Sequence, residues 1–400
     1  MRPHHPRRHG TTVRRRGAVT ALAVSLAALC AGQTLGGPSA VAAPKTSASA
    51  SASAAATASA VSAAENQAAR AIAGSLSAPA WRTRVRTAAL SSHEVAVTAL
   101  AGRAGYGALK SALSSADRRI ATAKGLGTDA GPLLRLRLGD PAMRAGLTAG
   151  AQPWVAAAAV DDDAATITAY DSHGRAHTLD ARTAPTRPVY VVDIDGSKAL
   201  AAGLHVLNRE LTRYGVASAG PAQRPAPAVG TRASAATGGF WTTRVTAVEL
   251  SDDEEPWFKG DAEIYTLVTG FGQDGKVRVD PVDMPYLDND GTVYRPGQIL
   301  VNWSNYKYNL ADAVMMEDDG GTNYLDLAKA LATALLTIAD QGTYIPLVTA
   351  LLDAMPNDWW TDDPDYVDSW YTLSRDDNGT RYGARGNGWM TVEPYFVQEF

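Results

Sequence analysis

The chain has 400 residues, 41 Asp and Glu against 37 Lys and Arg, and a single cysteine. That length exceeds one ordinary hydrophobic core and points to two domains of modest size. One cysteine excludes an intrachain disulfide and any thiolate metal cluster. The charge is uneven: from Trp241 onward 28 acidic residues face 10 basic ones, whereas residues 43–240 carry 13 against 21. So acidic a C-terminal half is repelled by phosphates, which excludes a nucleic-acid partner for it.

Residues 1–42 read as an export signal. Arg2, Arg7, Arg8 and Arg14 to Arg16 precede the apolar run GAVTALAVSLAALCAG, and Ala40 to Ala42 supply small residues for cleavage. The run is too short to span a bilayer, and no other transmembrane segment is expected. A secreted, extracellular product follows, by general secretion or by the twin-arginine route, the first preferred because the apolar residue after the arginine pair comes late. Cys30 lies inside this signal, and Ala27 and Leu29 are wrong for a lipoprotein. Residues 43–64, rich in Ala and Ser, read as a disordered tether too poor in large apolar groups to pack.

From Glu65 the apolar spacing becomes helical, with Ala69, Ile72 and Leu76 on one face. PWVAAAAV, ATITAYD, AHTLDA and PVYVVDID then read as short strands of a small antiparallel sheet, followed by a helix over Ser197–Tyr214. Residues 65–216 therefore form an α+β domain. Residues 217–239 are rich in Pro, Ala and Gly and read as a linker.

Residues 240–400 read as an acidic β-sandwich holding seven of the nine tryptophans. Strands are predicted in WTTRVTAVEL, AEIYTLVTGF, QILVNWSNYKY and ADAVMME. One stretch breaks the pattern: Leu327, Leu331, Leu335 and Ile338 share a helical face, and Gly342 separates two helices too short to span a membrane. The fold class is α+β, with a helical hairpin inserted in the C-terminal sandwich.

The charge concentrates at strand ends. Asp252, Asp253, Asp261 and Glu263 sit in SDDEEPWFKGDAE, Asp288 and Asp290 in LDNDG, Glu317 and Asp319 in MMEDDG, and Asp362 and Asp365 in TDDPD. Alternation puts Asp261, Glu263 and Tyr265 on one strand face. Like charges held together repel by roughly 1 kcal/mol per pair even in watery surroundings, and Ca²⁺ relieves this with six to eight oxygen ligands. Asp288–Gly291 has the Asp-x-Asp-Gly form of a calcium loop, although Gly297 stands where an EF-hand places glutamate. Asp in a turn also simply bonds its own backbone, so each cluster has a plain structural reading as well.

The stretches EPWFKGDAEIY, DMPYLDNDGTVYRPGQIL, MMEDDGGTNYLDLA and DDPDYVDSWY resemble a secreted bacterial family known as domain of unknown function 3103, over roughly residues 65–400. GDAEIY and VMMEDD are also similar to calcium-dependent C2-type sandwiches. That second resemblance implies ligands from Asp252, Asp253, Glu317, Asp319, Asp362 and Asp365; the helical hairpin departs from it. Family membership implies no activity.

No catalytic signature is complete. His173 and His177 flank a glycine between strands, not a helix face; there is no H-E-x-x-H or G-x-S-x-G, and Gly383–Gly388 lacks the Lys and Ser/Thr of a phosphate loop. The sequence therefore favours a non-catalytic Ca²⁺-binding module for a cell-surface, lipid or glycan partner, with docking between its two oppositely charged parts. The alternative is a secreted glycan or ester hydrolase with carboxylate chemistry near Trp359, Trp360 and Asp362 and the N-terminal part as a pro-region.

Overall fold

Ala is the best helix former, and it decides the first element. In the computed structural model, which describes residues 46–127, 130–158, 164–218, 238–252, 257–260, 262–318, 320–355 and 366–398, α1 runs over Thr46–Ser75. Thr57, Val61, Ala64, Ala68 and Ile72 are buried along it, and Leu76 just past its end. The stretch expected to be a tether is thus helical from Thr46, and from Thr57 on it carries buried residues. Small side chains pack by letting backbones approach closely, so the lack of large apolar groups was no bar to packing.

Three further helices follow, α2 (Pro79–Ser91), α3 (Val97–Arg103) and α4 (Gly107–Ala123), with the two-residue β1 (Glu94–Val95) between the first pair. Then come β2 (Leu134–Leu138), α5 (Arg144–Thr148), β3 (Trp154–Ala157), β4 (Thr166–Tyr170), β5 (Ala176–Asp180), β6 (Val189–Ile194) and α6 (Gly196–Tyr214). All four predicted strands and the helix are present. The sheet, however, has six strands in the order β1-β2-β6-β3-β4-β5, and β3 pairs parallel with β6. It is mixed, not antiparallel. Its central strands are buried on both faces, as parallel neighbours usually are, whereas β4 and β5 alternate between buried and exposed.

The remaining strands are β7 (Gly239–Leu250), β8 (Ile264–Phe271), β9 (Val277–Asp283), β10 (Gln298–Asn302) and β11 (Leu310–Glu317); after the helices α7 (Tyr324–Leu335) and α8 (Val348–Leu352) come β12 (Tyr366–Ser374), β13 (Gly379–Tyr382) and β14 (Gly388–Gln398). They form two antiparallel four-stranded sheets, β10-β7-β14-β13 and β12-β11-β8-β9. Leu327, Leu331 and Leu335 are buried as their spacing predicts, while Ile338 falls beyond α7 and is partly exposed. Gly342, at φ +80°, lies between the two helices. No helix among the described residues is long and apolar enough to cross a membrane.

Strand β8 is buried at all eight positions because each face lies in a different core. Ile264 and Val268 join Val245, Val248, Met390 and Val392 of the other antiparallel sheet. Tyr265, Leu267 and Phe271 join Leu207 and Leu211 of α6, Leu327 and Leu331 of α7, and Ile72 of α1. Residues 44–400 are accordingly one compact unit, with a continuous core drawn from both sides of the 217–239 stretch.

Candidate functional site

At the ends of β6 and β8 the apolar patterns stop and charge begins. Asp193 is the penultimate residue of β6; Asp195 follows and caps α6, its carboxylate accepting the Lys198 N–H at 3.1 Å. Glu263 immediately precedes β8 and shares the strand face of Tyr265, which points toward α6 and α7. These residues line a cavity of about 110 Å³ together with Glu65 from α1, Glu94 from β1, Lys259, Gly260 and Asp318. Six of its walls are therefore carboxylates.

One glycine makes the approach possible. A methyl at Gly196, the first residue of α6, would stand 2.0 Å from the Glu263 carboxyl atoms. The carboxyl group therefore rests against the start of a 19-residue helix, the end where the helix dipole is positive. Seven residues on, two helical turns along the same face, a methyl at Gly203 would stand 2.1 Å from the Tyr324 ring. Both glycines clear a path for groups arriving from the C-terminal part.

The electrostatics are unbalanced. Burial, then repulsion from Glu317, Asp193 and Asp318, holds the Glu263 carboxyl well above the usual carboxylate range, and Lys124 offsets only part of this. Burial likewise raises Asp193, although Arg137 lies 3.4 Å away and the Ile194 N–H donates to it at 2.8 Å. Glu94 is raised by burial and by Asp193 and Asp195, against Arg135 at 4.0 Å. Arg135 also pairs with Asp195, and Arg137 donates to the Phe258 carbonyl. The two arginines thus stand behind the carboxylates from β2.

Below the cavity lies a fully buried ion pair. Lys124, at the end of α4, places its Nζ 2.9 Å from Asp318 Oδ1, and neither side chain has any exposure. The Tyr324 hydroxyl donates to Asp318 Oδ2 at 2.7 Å, and the Asp318 N–H donates to the Glu263 carbonyl at 3.1 Å.

Of the residues the sequence singled out, Glu263 and Glu317 come together: Glu317 pairs with Ile264 across β11 and β8, and it is buried. Asp252, Asp288 and Asp290 sit in turns with neighbours of their own. The Asp252 N–H donates to Asn387 Oδ1 at 3.1 Å, Asp288 accepts the Tyr294 hydroxyl at 2.6 Å, and Gly291 at φ +61° completes the DNDG turn. Asp253, Asp261, Asp319, Asp362 and Asp365 lie outside the described residues. Among the described residues no three His, Cys, Asp or Glu side chains are grouped closely enough to hold one metal ion between them.

Two other sequence features have structural answers. Gly383–Gly388 binds an anion of the chain itself: Asp368 is buried, and its carboxylate accepts the N–H groups of Ser369, Arg385, Asn387 and Gly388 at 2.8–2.9 Å. His177 bonds Asp171 at 3.2 Å and stacks on Trp154 with ring centres 4.0 Å apart, so it is already engaged.

Sequence reasoning passed over Glu65, Glu94, Asp193 and Asp195. A signal was available, because Asp193–Gly196 repeats the Asp-x-Asp-Gly form noted in Asp288–Gly291, and here it closes a strand and opens a helix. The DUF3103 model, for a protein of unknown function, matches residues 67–400. The chain belongs to the DUF3103 family. The family region contains every cavity residue named above except Glu65. No curated protein and no solved structure matches this DUF3103 chain.

Proposed function

We propose that this DUF3103 protein is a secreted, non-catalytic binding module whose carboxylate cavity takes a hard divalent cation, Ca²⁺ above all. The observation that carries this reading is the raised proton affinity of Glu263, Asp193 and Glu94, which come from three separate elements and line one cavity. A cation entering there replaces protons and removes the mutual repulsion. The donor set is all oxygen, which suits Ca²⁺. Because no three side chains converge among the described residues, main-chain carbonyls and water would complete the shell, as they commonly do for this ion.

In this reading the C-terminal strands form a C2-like β-sandwich. Its support is the single cluster filled by Val245, Val248 and Met390 from one sheet and Ile264, Val268 and Met315 from the other. The ion orders the neighbouring loops and presents them to a cell-surface, lipid or glycan partner. Calorimetric titration of the metal-free protein with Ca²⁺, with melting in and out of chelator, is the test. Saturable binding and a higher Tm are expected, both weakened by Glu263→Gln and Asp193→Asn. A flat titration and an unchanged Tm sink the reading.

One observation favours a hydrolase as the second reading: a carboxyl that keeps its proton beside other carboxylates is how a general acid is made. Glu263 would be that acid. The N-terminal part would then form one wall of the site, since Asp193 and Asp195 belong to it, and would not be a removable cover. A panel of glycan and ester substrates, hydrolysed by the native chain and not by Glu263→Gln, would establish it.

A further inference from the structure

We infer that Lys124 and Asp318 condense into an intramolecular amide, an isopeptide bond tying the end of α4 to the segment after β11. The inference does not depend on cation binding. Its ground is the fully buried contact of an amine and a carboxyl group at 2.9 Å, across 194 residues of sequence.

An isolated lysine–aspartate pair is costly to bury, because the mutual attraction seldom repays the lost hydration of both ions. Structural pairs of this kind usually share the burden among several hydrogen bonds. Here Asp318 has, besides the lysine, the Tyr324 hydroxyl at 2.7 Å. Lys124 has the Tyr324 ring, 5.8 Å from Nζ to the ring centre. Conversion to an amide removes both charges and leaves a neutral group, which costs less to bury than two ions.

The surroundings also supply the parts such a condensation needs. Two reactants held in contact by a folded core react as if at very high concentration. Nζ attacks Cγ of Asp318, and the C–N bond forms as the Cγ–Oδ1 bond breaks. Oδ1 departs as water carrying two of the three ammonium protons, and the third stays on the amide nitrogen. No oxidant, reductant or co-reactant enters. The Tyr324 hydroxyl, already on Oδ2, stabilises the negative charge that develops there and afterwards bonds the amide oxygen. Glu263, whose carbonyl accepts the Asp318 N–H at 3.1 Å and whose side chain lines the same cavity as Asp318, is the neighbouring carboxyl group that would relay the proton. That cavity is also the exit for the released water. The chain's lone cysteine leaves it without a disulfide staple, so this bond would be its one covalent cross-link.

The test is mass spectrometry of the purified native protein under denaturing conditions, with a proteolytic map. The expected result is a chain one water lighter than its sequence, and a branched peptide joining the Lys124 and Asp318 segments. Lys124→Met restores the full mass. Glu263→Gln, which leaves the reacting pair intact, also gives the unbranched full-mass chain. A native protein of full mass with only linear peptides overturns the inference. So does a one-water loss mapping to succinimide at an Asp–Gly step such as Asp195–Gly196, Asp274–Gly275 or Asp290–Gly291 with no branch. If Glu263→Gln still forms the branched peptide, the relay role of Glu263 is overturned and the bond itself stands.

Discussion

Replacing Gly203 by alanine should destabilise this protein although helix propensity says the opposite. In a bare helix the change gains roughly 1 kcal/mol. In α6 the new methyl would stand 2.1 Å from Tyr324 Cε2, whereas ordinary carbon contacts begin near 3.4 Å. The overlap falls on a ring with no room to turn, for Tyr324 is fully buried and its hydroxyl is held by Asp318 at 2.7 Å. α6 and α7 must therefore separate by on the order of 1 Å, at an overpacking cost of typically 1–3 kcal/mol. An overlap this deep falls in the upper part of that range, so net of the helix gain about 1–2 kcal/mol is lost; with an unfolding entropy of about 2 cal/mol/K per residue over the unit 44–400, that lowers Tm by about 1–3 °C. Urea melts of Gly203→Ala should show a lower midpoint at an unchanged slope. The double variant Gly203→Ala/Tyr324→Leu should show non-additive loss, because the smaller side chain admits the methyl. A Gly203→Ala protein as stable as the parent, or more so, would refute the close approach of α7 to α6.

Three further outcomes are expected. Asp368→Ala strips four backbone N–H groups of their shared acceptor, and should cost about 3–5 kcal/mol in urea melts, more than an ordinary surface change. Val61→Asp puts a charge at a buried α1 position beside the carboxylate cavity and should cost roughly 3 kcal/mol or more by the same melts, whereas a true tether would tolerate it. Glu263 is held above its ordinary value in the folded chain, so the unfolded chain releases its proton first as pH rises. Stability therefore falls with pH from the ordinary carboxylate range up to the folded value, and is level beyond it. Melting curves across pH should show a shallower decline for Glu263→Gln. In the native chain Ca²⁺ should bind more tightly as pH rises, with proton release measurable by calorimetry in buffers of different ionisation heat.

The period of apolar residues made β3 to β6, α6, β7, β8, β10, β11 and α7 legible, because each buries a face whose spacing is local. Partnerships between strands were not. Nothing in PWVAAAAV or PVYVVDID says that they lie parallel and adjacent, since both are apolar throughout and a two-sided burial erases the alternation that would orient them. The site suffered from a second effect. Charge counts drew attention to the acidic C-terminal half, yet Glu65, Glu94, Asp193 and Asp195 come from the half with excess Lys and Arg. There Arg135 and Arg137 cancel them in a sum while standing on the strand behind them in space. The glycines of α6 were readable in principle: two of them seven positions apart on a helix mark a face cleared for something to come close.

Strand β8 gives the chain a problem of timing. The N-terminal helices and the six-stranded sheet are synthesised first, but Leu207 and Leu211 have no complete surface to lie on until Tyr265, Leu267 and Phe271 have followed them. For that interval a greasy helix stands open to neighbours and to proteases. The early part of the molecule therefore ripens late, and a break in translation before Phe271 would leave a fragment with half a core rather than a finished domain.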